Sequence, residues 1–245
     1  MGTLEGKVAV ITGAGSGMGK ATAKIFAREG ARLVISDISG AEQQTAAEID
    51  GEVVVRSCNV GDESQVAALV AAAVSTYGRL DAMLNVAGIA DGGMLDSLDE
   101  AHFDRIIGIN LKGVFFGSKH AIRAMKNNGG GSIINWASLA GMIPSPGGSI
   151  YSASKAAVMQ LTKSIVVEYG AANIRANALC PGMIITAMGS RSLQNDPSKA
   201  ARNPLGRPGA PEDAGELAAF LASDRASYLN GVMIPLDGGW SCKLA

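Results

Sequence analysis

Short, largely β-branched apolar runs recur along this chain at residues 7–12, 31–36, 52–56, 81–85, 132–137, 174–179 and 232–235. Runs of this kind, bounded by glycine and polar clusters, predict buried strands. Between them lie longer stretches with an apolar stripe at helical spacing, which predict helices over 20–29, 38–49, 62–77, 99–125, 151–169 and 212–222. Over 62–77 the stripe is Val66, Leu69, Val70 and Val74, with Asp62 as the N-cap. Strand and helix alternate with no dividing linker, repeat or low-complexity segment. The expectation is one α/β domain over residues 1–245, a doubly wound parallel sheet with helices on both faces and right-handed crossovers.

Candidate chemistry sits at strand ends. The first strand runs into Gly13-Ala14-Gly15-Ser16-Gly17-Met18-Gly19, and a helix follows. Strand, glycine turn and helix make a pyrophosphate cradle, because glycines allow close backbone approach and the helix N-terminus offers free N–H groups. The spacing is G-x-x-x-G-x-G at Gly13, Gly17 and Gly19, not G-x-G-x-x-G. The second strand ends at Asp37. An acid there bonds adenosine ribose hydroxyls and repels a 2′-phosphate. It also suits a helix N-cap before 38–49, and the two roles are compatible. No Lys or Arg directly follows Asp37 and Ser16 adds no charge, so NAD is expected rather than NADP.

Tyr151 and Lys155 stand four residues apart in a predicted helix, hence on one face. A cation beside a phenol favours phenolate, so Lys155 is expected to lower the Tyr151 pKa towards neutrality and make it a general acid/base. Ser138 follows the 132–137 strand, where open α/β sheets bind ligands; capping of the next segment is its other reading.

Composition narrows the class. A formal net charge of −1 gives no reason to expect a nucleic-acid or anionic-membrane partner. No uninterrupted apolar stretch is long enough to span a bilayer, and the N-terminus runs straight into a strand. Cys58, Cys180 and Cys242 are widely spaced and odd in number, which points to reduced thiols and a cytoplasmic setting. The two histidines, His102 and His120, form no zinc pattern with them, so no metal is expected.

Taken together, these residues resemble the short-chain dehydrogenase/reductase family across essentially the whole chain. The resemblance is carried by Thr12-Gly13 to Gly19, Asn85-Val86-Ala87-Gly88, Asn110, Ser138, Tyr151 with Lys155, Pro181-Gly182 with Thr186, and Asp237-Gly238-Gly239. It implies a three-layer Rossmann domain with seven strands in the order 3-2-1-4-5-6-7, and hydride transfer between NAD and an alcohol or ketone. It implies a tetrad of Asn110, Ser138, Tyr151 and Lys155. In it Lys155 also grips the nicotinamide ribose, Asn110 holds a water, and Thr186 orients the carboxamide. Cofactor contacts are implied at Gly13, Ser16, Gly17, Met18, Gly19, Asp37, Asn59, Val60, Asn85, Ala87, Gly88, Tyr151, Lys155, Pro181, Gly182, Ile184 and Thr186. Two positions depart from the commonest pattern: Asn59 stands where an aspartate is usual, and Val86 replaces an asparagine. Asn110 also has a plainer reading, a helix-interior polar residue bonded locally.

The candidate substrate walls are Ile89, Ala90, Met94, Ile143, Pro144, Gly147, Met183, Ile184 and Met188, beside Ser138 and Tyr151. They are mostly apolar, which suits a hydrophobic secondary alcohol, open-chain or cyclic, or its ketone. Residues 187–210 read as a mobile lid, with Arg191 and Arg202 as solvated charges or as ligands for an acidic group. A 3-oxoacyl-carrier-protein reductase and a catalytically silent dinucleotide sensor are the alternatives. The 151–169 helix carries Ala153, Ala156, Ala157, Leu161, Ile165 and Val166 around much of its circumference, so burial against a partner is expected. With the family resemblance this predicts a homotetramer, whose second interface uses the last strand.

Overall fold

The computed structural model describes residues 2–144, 146–195, 198 and 203–242. Its strands are β1 (Val8–Thr12), β2 (Arg32–Asp37), β3 (Val53–Ser57), β4 (Ala82–Asn85), β5 (Gly131–Trp136), β6 (Ile174–Pro181) and β7 (Met233–Leu236). They form one sheet in the order β3-β2-β1-β4-β5-β6-β7, every pair parallel, as expected. Strands inside such a sheet are covered on both faces and need apolar side chains at every position. β1 obeys this: Ala9 and Ile11 enter one core layer, Val8 and Val10 the other.

Helices α1 (Gly17–Arg28) and α8 (Pro211–Ala222) cover the first layer through Ile25, Phe26, Ala214 and Ala218. Helices α3 (Glu63–Tyr77), α5 (Gly113–Lys126) and α6 (Ser149–Tyr169) cover the second through Leu69, Ile122 and Ile165. Asp62 caps α3 as predicted, accepting from the backbone of Ser64 and Gln65, and Gly78 ends it at φ 78°.

Three segments depart from the sequence reading. The helix expected at 38–49 is only α2 (Glu42–Ala47), because Asp37 bonds Ser39 in a tight turn and Ala41, not Asp37, is its N-cap. The helix expected at 99–125 is α4 (Glu100–Ile107) and α5 joined by a π-helical turn at Gly108–Lys112. The stretch expected as a lid contains a helix, α7 (Ala187–Asn195); Arg202, and part of 187–210 with it, lie outside the described residues.

The chain leaves β1 towards β2 and β3 on one side and returns to β4 on the other. This reversal opens a crevice at the carboxyl ends of β1 and β4.

Candidate active site

The glycine turn at the end of β1 is shaped for close backbone approach. Gly13 has φ 69°, and a Cβ there would lie 2.9 Å from the Ala87 nitrogen. Gly19 presses against the carbonyl of Gly13, leaving no room for a side chain. Ser16, the N-cap of α1, makes no side-chain capping bond, so the first N–H groups of this helix meet no serine oxygen. Thr12 ties this turn to the next loop: its Oγ1 accepts from Val86 N at 3.0 Å and Ala87 N at 3.2 Å. A groove of about 1050 Å³ runs from Ser16, Gly17 and Thr186 along α1 past Lys20 and Lys24.

Asp37 faces the turn. Its Oδ2 accepts from Gly15 N at 3.0 Å, while Oδ1 takes Ser39 N at 2.9 Å and Ser39 Oγ at 2.8 Å. The carboxylate thus lies at the edge of the glycine turn, where the ribose of a dinucleotide would need it. Asn59 is turned on its own loop, its Oδ1 accepting from Gly61 N at 3.0 Å, with Val60 buried beside it.

Asn85 ends β4 with its side chain turned inward. Its side chain is buried and donates to Asn135 Oδ1 at 2.8 Å, and Asn135 donates in turn to Thr162 Oγ1 at 2.9 Å. This polar chain locks β4, β5 and α6 together, so the Asn85 amide is committed inside the molecule.

The four tetrad candidates converge from three elements. Ser138 follows β5 and accepts from Ala140 N at 3.1 Å. Tyr151 and Lys155 lie one turn apart on α6, with Lys155 Nζ 5.8 Å from the Tyr151 ring centre. Lys155 is buried, and its Nζ donates to the carbonyl oxygen of Trp136 at 2.7 Å. Asn110 sits in the π-helical turn and is also buried. Its amide bonds the Ile89 backbone on both sides and reaches Ser154 Oγ at 3.3 Å. Gly88 runs between the two: a Cβ there would sit 3.2 Å from Asn110 Oδ1 and 3.4 Å from Lys155 Nζ.

The electrostatics correct one expectation. Burial dominates at Tyr151 and raises its pKa above the ordinary phenol value, with a hydrogen bond from Ser138 pulling the other way. Burial also lowers Lys155 to about 8, against a small opposing effect of Cys180. The lysine donates to the Trp136 carbonyl and does not bring the phenol down.

Thr186 closes the far side. Its Oγ1 accepts from Gly189 N at 3.0 Å, and its side chain lies 3.1 Å from where a Gly17 Cβ would be. Gly182 follows the buried Pro181 and donates to Leu236 O at 3.0 Å, and Asp237 packs against it. Ile184 is buried and bridges to Gly209, fastening the base of the 187–210 segment.

The loops leaving β4, β5 and β6 carry exposed apolar side chains: Met94 and Leu95, then Met142 and Ile143, then Met188. Pro144 is exposed beside them and Met183 half-buried. The first two loops are joined by Gly93 N donating to Gly147 O at 3.1 Å. The Arg191 side chain lies outside the described residues. Among the described residues no group of three His, Cys, Asp or Glu is placed to hold a metal ion. Sequence reasoning passed over Trp136, whose carbonyl anchors Lys155, because a tryptophan in a strand reads as core.

These features fit a nicotinamide dinucleotide: a turn that a side chain would fill, uncapped N–H groups, and a buried indole N–H on Trp136 with no partner. Comparison with known proteins agrees. A family profile described as enoyl-(acyl carrier protein) reductase matches residues 13–241. The chain is 41% identical over 241 residues to the 3-oxoacyl-(acyl-carrier-protein) reductase FabG of Thermotoga maritima, covering 96% of this chain and 98% of that one. It is 43% identical over 242 residues to the cis-4-hydroxycyclohexanecarboxylate dehydrogenase of Sinomonas cyclohexanicum, covering 96% of each. The crystal structure of levodione reductase superposes with a TM-score of 0.94 at 36% identity, covering 98% of this chain and all of that one. With the fold, the strand order and these relatives in agreement, the chain belongs to the short-chain dehydrogenase/reductase family of nicotinamide-dependent oxidoreductases.

Proposed function

We propose that this enzyme uses NAD to interconvert an apolar secondary alcohol and its ketone, with Tyr151 as the general acid/base. The observation that carries the cofactor choice is Asp37, whose carboxylate borders the glycine turn through Gly15 N at 3.0 Å. A 2′-phosphate would meet that carboxylate with like charge and no neighbouring cation, since Ile38, Ser39, Gly40 and Ala41 follow it. The test is titration of both cofactors: NAD should bind at least about tenfold tighter than NADP, roughly 1.4 kcal/mol. Equal or reversed affinities would overturn it.

Bound at the crevice, the dinucleotide supplies a hydride acceptor or donor at its nicotinamide. The remaining work falls to the chain. Gly13, Ser16, Gly17, Met18 and Gly19 receive the pyrophosphate, and Asp37 the adenosine ribose. Val60 borders the adenine, and Asn59, its Oδ1 held by Gly61 N, turns its amide N–H groups to the base. Ala87, Gly88, Pro181, Gly182, Ile184 and Thr186 flank the nicotinamide half. In alcohol oxidation Tyr151 accepts the hydroxyl proton, and in ketone reduction it gives one back. Ser138 donates a hydrogen bond to the same substrate oxygen and stabilises the charge that develops on it. Lys155 orients the ribose, and Asn110 positions a water that returns protons to solvent.

Met94, Met142, Ile143, Pro144, Met183 and Met188 favour a hydrophobic ring at the mouth, and the relative named for a hydroxycyclohexane substrate supports that class. The 41% identity to a 3-oxoacyl-carrier-protein reductase supports a second reading, in which the ketone is an acyl β-carbonyl. Comparing kcat/KM for cyclic ketones and for 3-oxoacyl thioesters separates the two. The reading places the enzyme in the cytoplasm as a homotetramer with no nucleic-acid or membrane partner. Its three cysteines are unpaired, and among the described residues no helix is long and apolar enough to cross a membrane.

A further inference from the structure

Trp136 holds a buried, unused hydrogen-bond donor at the end of β5, the strand that leads to Ser138. It is the last residue of β5, two before Ser138, and is 2% exposed. Along β5 the side chains alternate. Asn135 points into the second core layer with Asn85 and Thr162, while Ile134 and Trp136 point into the first. The register sets Trp136 beside Leu179 on β6, and Val86 continues β4 on its other flank. Met18 of the glycine turn and Leu236 at the end of β7 border the same cluster. The indole therefore lies in the core layer beneath α1 and α8, at the carboxyl end of β5, and meets a ligand at that end only if its cover shifts on binding. A tryptophan used only as core filling satisfies its N–H or keeps it near water, because an orphaned buried donor costs on the order of 1–3 kcal/mol. Trp136 Nε1 is buried and has no hydrogen-bond partner. The backbone of the same residue is committed to the site, its carbonyl taking the Lys155 ammonium at 2.7 Å.

We propose that Trp136 is a cofactor-binding residue whose indole N–H donates to an acceptor oxygen on the nicotinamide half of the bound dinucleotide. This rests on the nicotinamide-dependent reading above. The donor waits without a partner in the free enzyme and gains one on binding, so its full contribution appears as affinity. One residue then serves both sides of the reaction centre, the carbonyl fixing the lysine and the indole fixing the cofactor. The half nearer Ser138 is chosen because Trp136 stands next to the tetrad and away from Asp37, which marks the adenosine end.

The test combines calorimetric titration with spectra of protein carrying 15N-labelled tryptophan. Trp136 and Trp240 are the only tryptophans, so two indole signals are expected and Trp136→Phe assigns them. On adding NADH to the wild type, the Trp136 indole proton should move downfield. Trp136→Phe keeps an aromatic ring and removes the N–H, and should weaken NADH binding by about three- to tenfold. AMP, which lacks the nicotinamide half, should bind both proteins equally. An unmoved indole signal with wild-type NADH affinity in Trp136→Phe would overturn the proposal while leaving the oxidoreductase reading intact. Equal weakening of AMP and NADH would also overturn it, by showing a general loosening of the crevice. Wild-type protein that binds no dinucleotide would sink that reading itself, and this proposal with it.

Discussion

Asn110 grips the backbone of one residue at both ends: its Oδ1 accepts from Ile89 N at 2.9 Å and its Nδ2 donates to Ile89 O at 2.9 Å. This pair fastens the loop leaving β4 to the π-helical turn between α4 and α5. The extra residue in that turn rotates the amide out of the helical stripe and towards Gly88 and Lys155. In Asn110→Ala both bonds go and two part-buried backbone groups lose partners, so stability should fall by about 1–2 kcal/mol. Asn110→Asp keeps the acceptor and loses the donor, and should lie between. Urea midpoints of the three proteins measure this. If the alanine variant matches the wild type, the grip contributes nothing.

The buried phenol sets the pH behaviour of the reaction. Because burial holds the Tyr151 pKa above its ordinary value in the free enzyme, the acid form persists through neutral pH. Ketone reduction needs that proton and should run at a steady rate from neutral to mildly alkaline pH. Alcohol oxidation needs the phenolate and should climb over the same range. Tyr151→Phe should lower turnover by about two or more orders of magnitude in both directions with little change in cofactor binding. Parallel pH profiles for the two directions, or near-full turnover in the phenylalanine variant, would show that another group carries the proton.

Lys155 carries a stability signature. Its pKa is about 8 in the folded protein against 10.5 for an ordinary lysine, so between those values the unfolded chain binds a proton that the folded chain does not. Stability gained from this group therefore rises with pH across that window. Below it, the folded state bears the whole cost of burying the ammonium, on the order of 3 kcal/mol before its bond to Trp136 offsets part of it. Lys155→Met does not titrate. Without cofactor it should be the more stable protein near pH 7, with its advantage shrinking as pH rises towards the upper end of the window. Chemical unfolding of both proteins at the two ends measures the gap. A gap that does not depend on pH would show that the ammonium is not penalised by its surroundings.

The inner strands were legible because their side-chain pattern suits a sheet buried on both faces, as Val8 to Thr12 illustrates, whereas the strand order came with the family resemblance. The tetrad was legible as types and spacings, Ser138 at a strand end and Tyr151 one turn from Lys155. Other features depend on orientation, which spacing does not encode. A π-helical turn is a change of backbone hydrogen bonding within continuous helix, which residue types do not encode, so the break at Gly108–Lys112 went unread. Asn85 and Asn135 read as strand residues, and the meeting of their amides across β4 and β5 was not visible in the sequence. The Tyr151 pKa was misjudged because proximity to Lys155 shows in sequence and burial of both groups does not. Asp37 was read as a helix cap, and a three-residue turn through Ser39 moved the helix start beyond it.

Assembly follows from which part of α6 is left open. Of the residues expected to meet a partner, Ile165 is buried and Leu161 and Val166 pack on the second core layer, so these stabilise the protomer itself. The open face is instead Ala153, Ala156, Gln160, Lys163 and Val167, spaced alternately three and four residues apart. Val167 is 87% exposed, and Phe103 of α4 and Phe115 of α5 are about half exposed on neighbouring helices. Apolar groups concentrated on three adjacent helices suit a self-complementary two-fold contact, with small alanines letting two copies of α6 approach. A second contact is expected near β7, where Tyr228 is fully exposed and Val232 partly so. The expected species is a homotetramer, and Val167→Glu should reduce it to dimers held by the β7 contact, since two carboxylates would face each other across the axis. Sedimentation at micromolar concentration distinguishes these states. A wild-type monomer near 24.9 kDa would overturn both contacts, and a Val167→Glu protein that stays tetrameric would remove α6 from the interface.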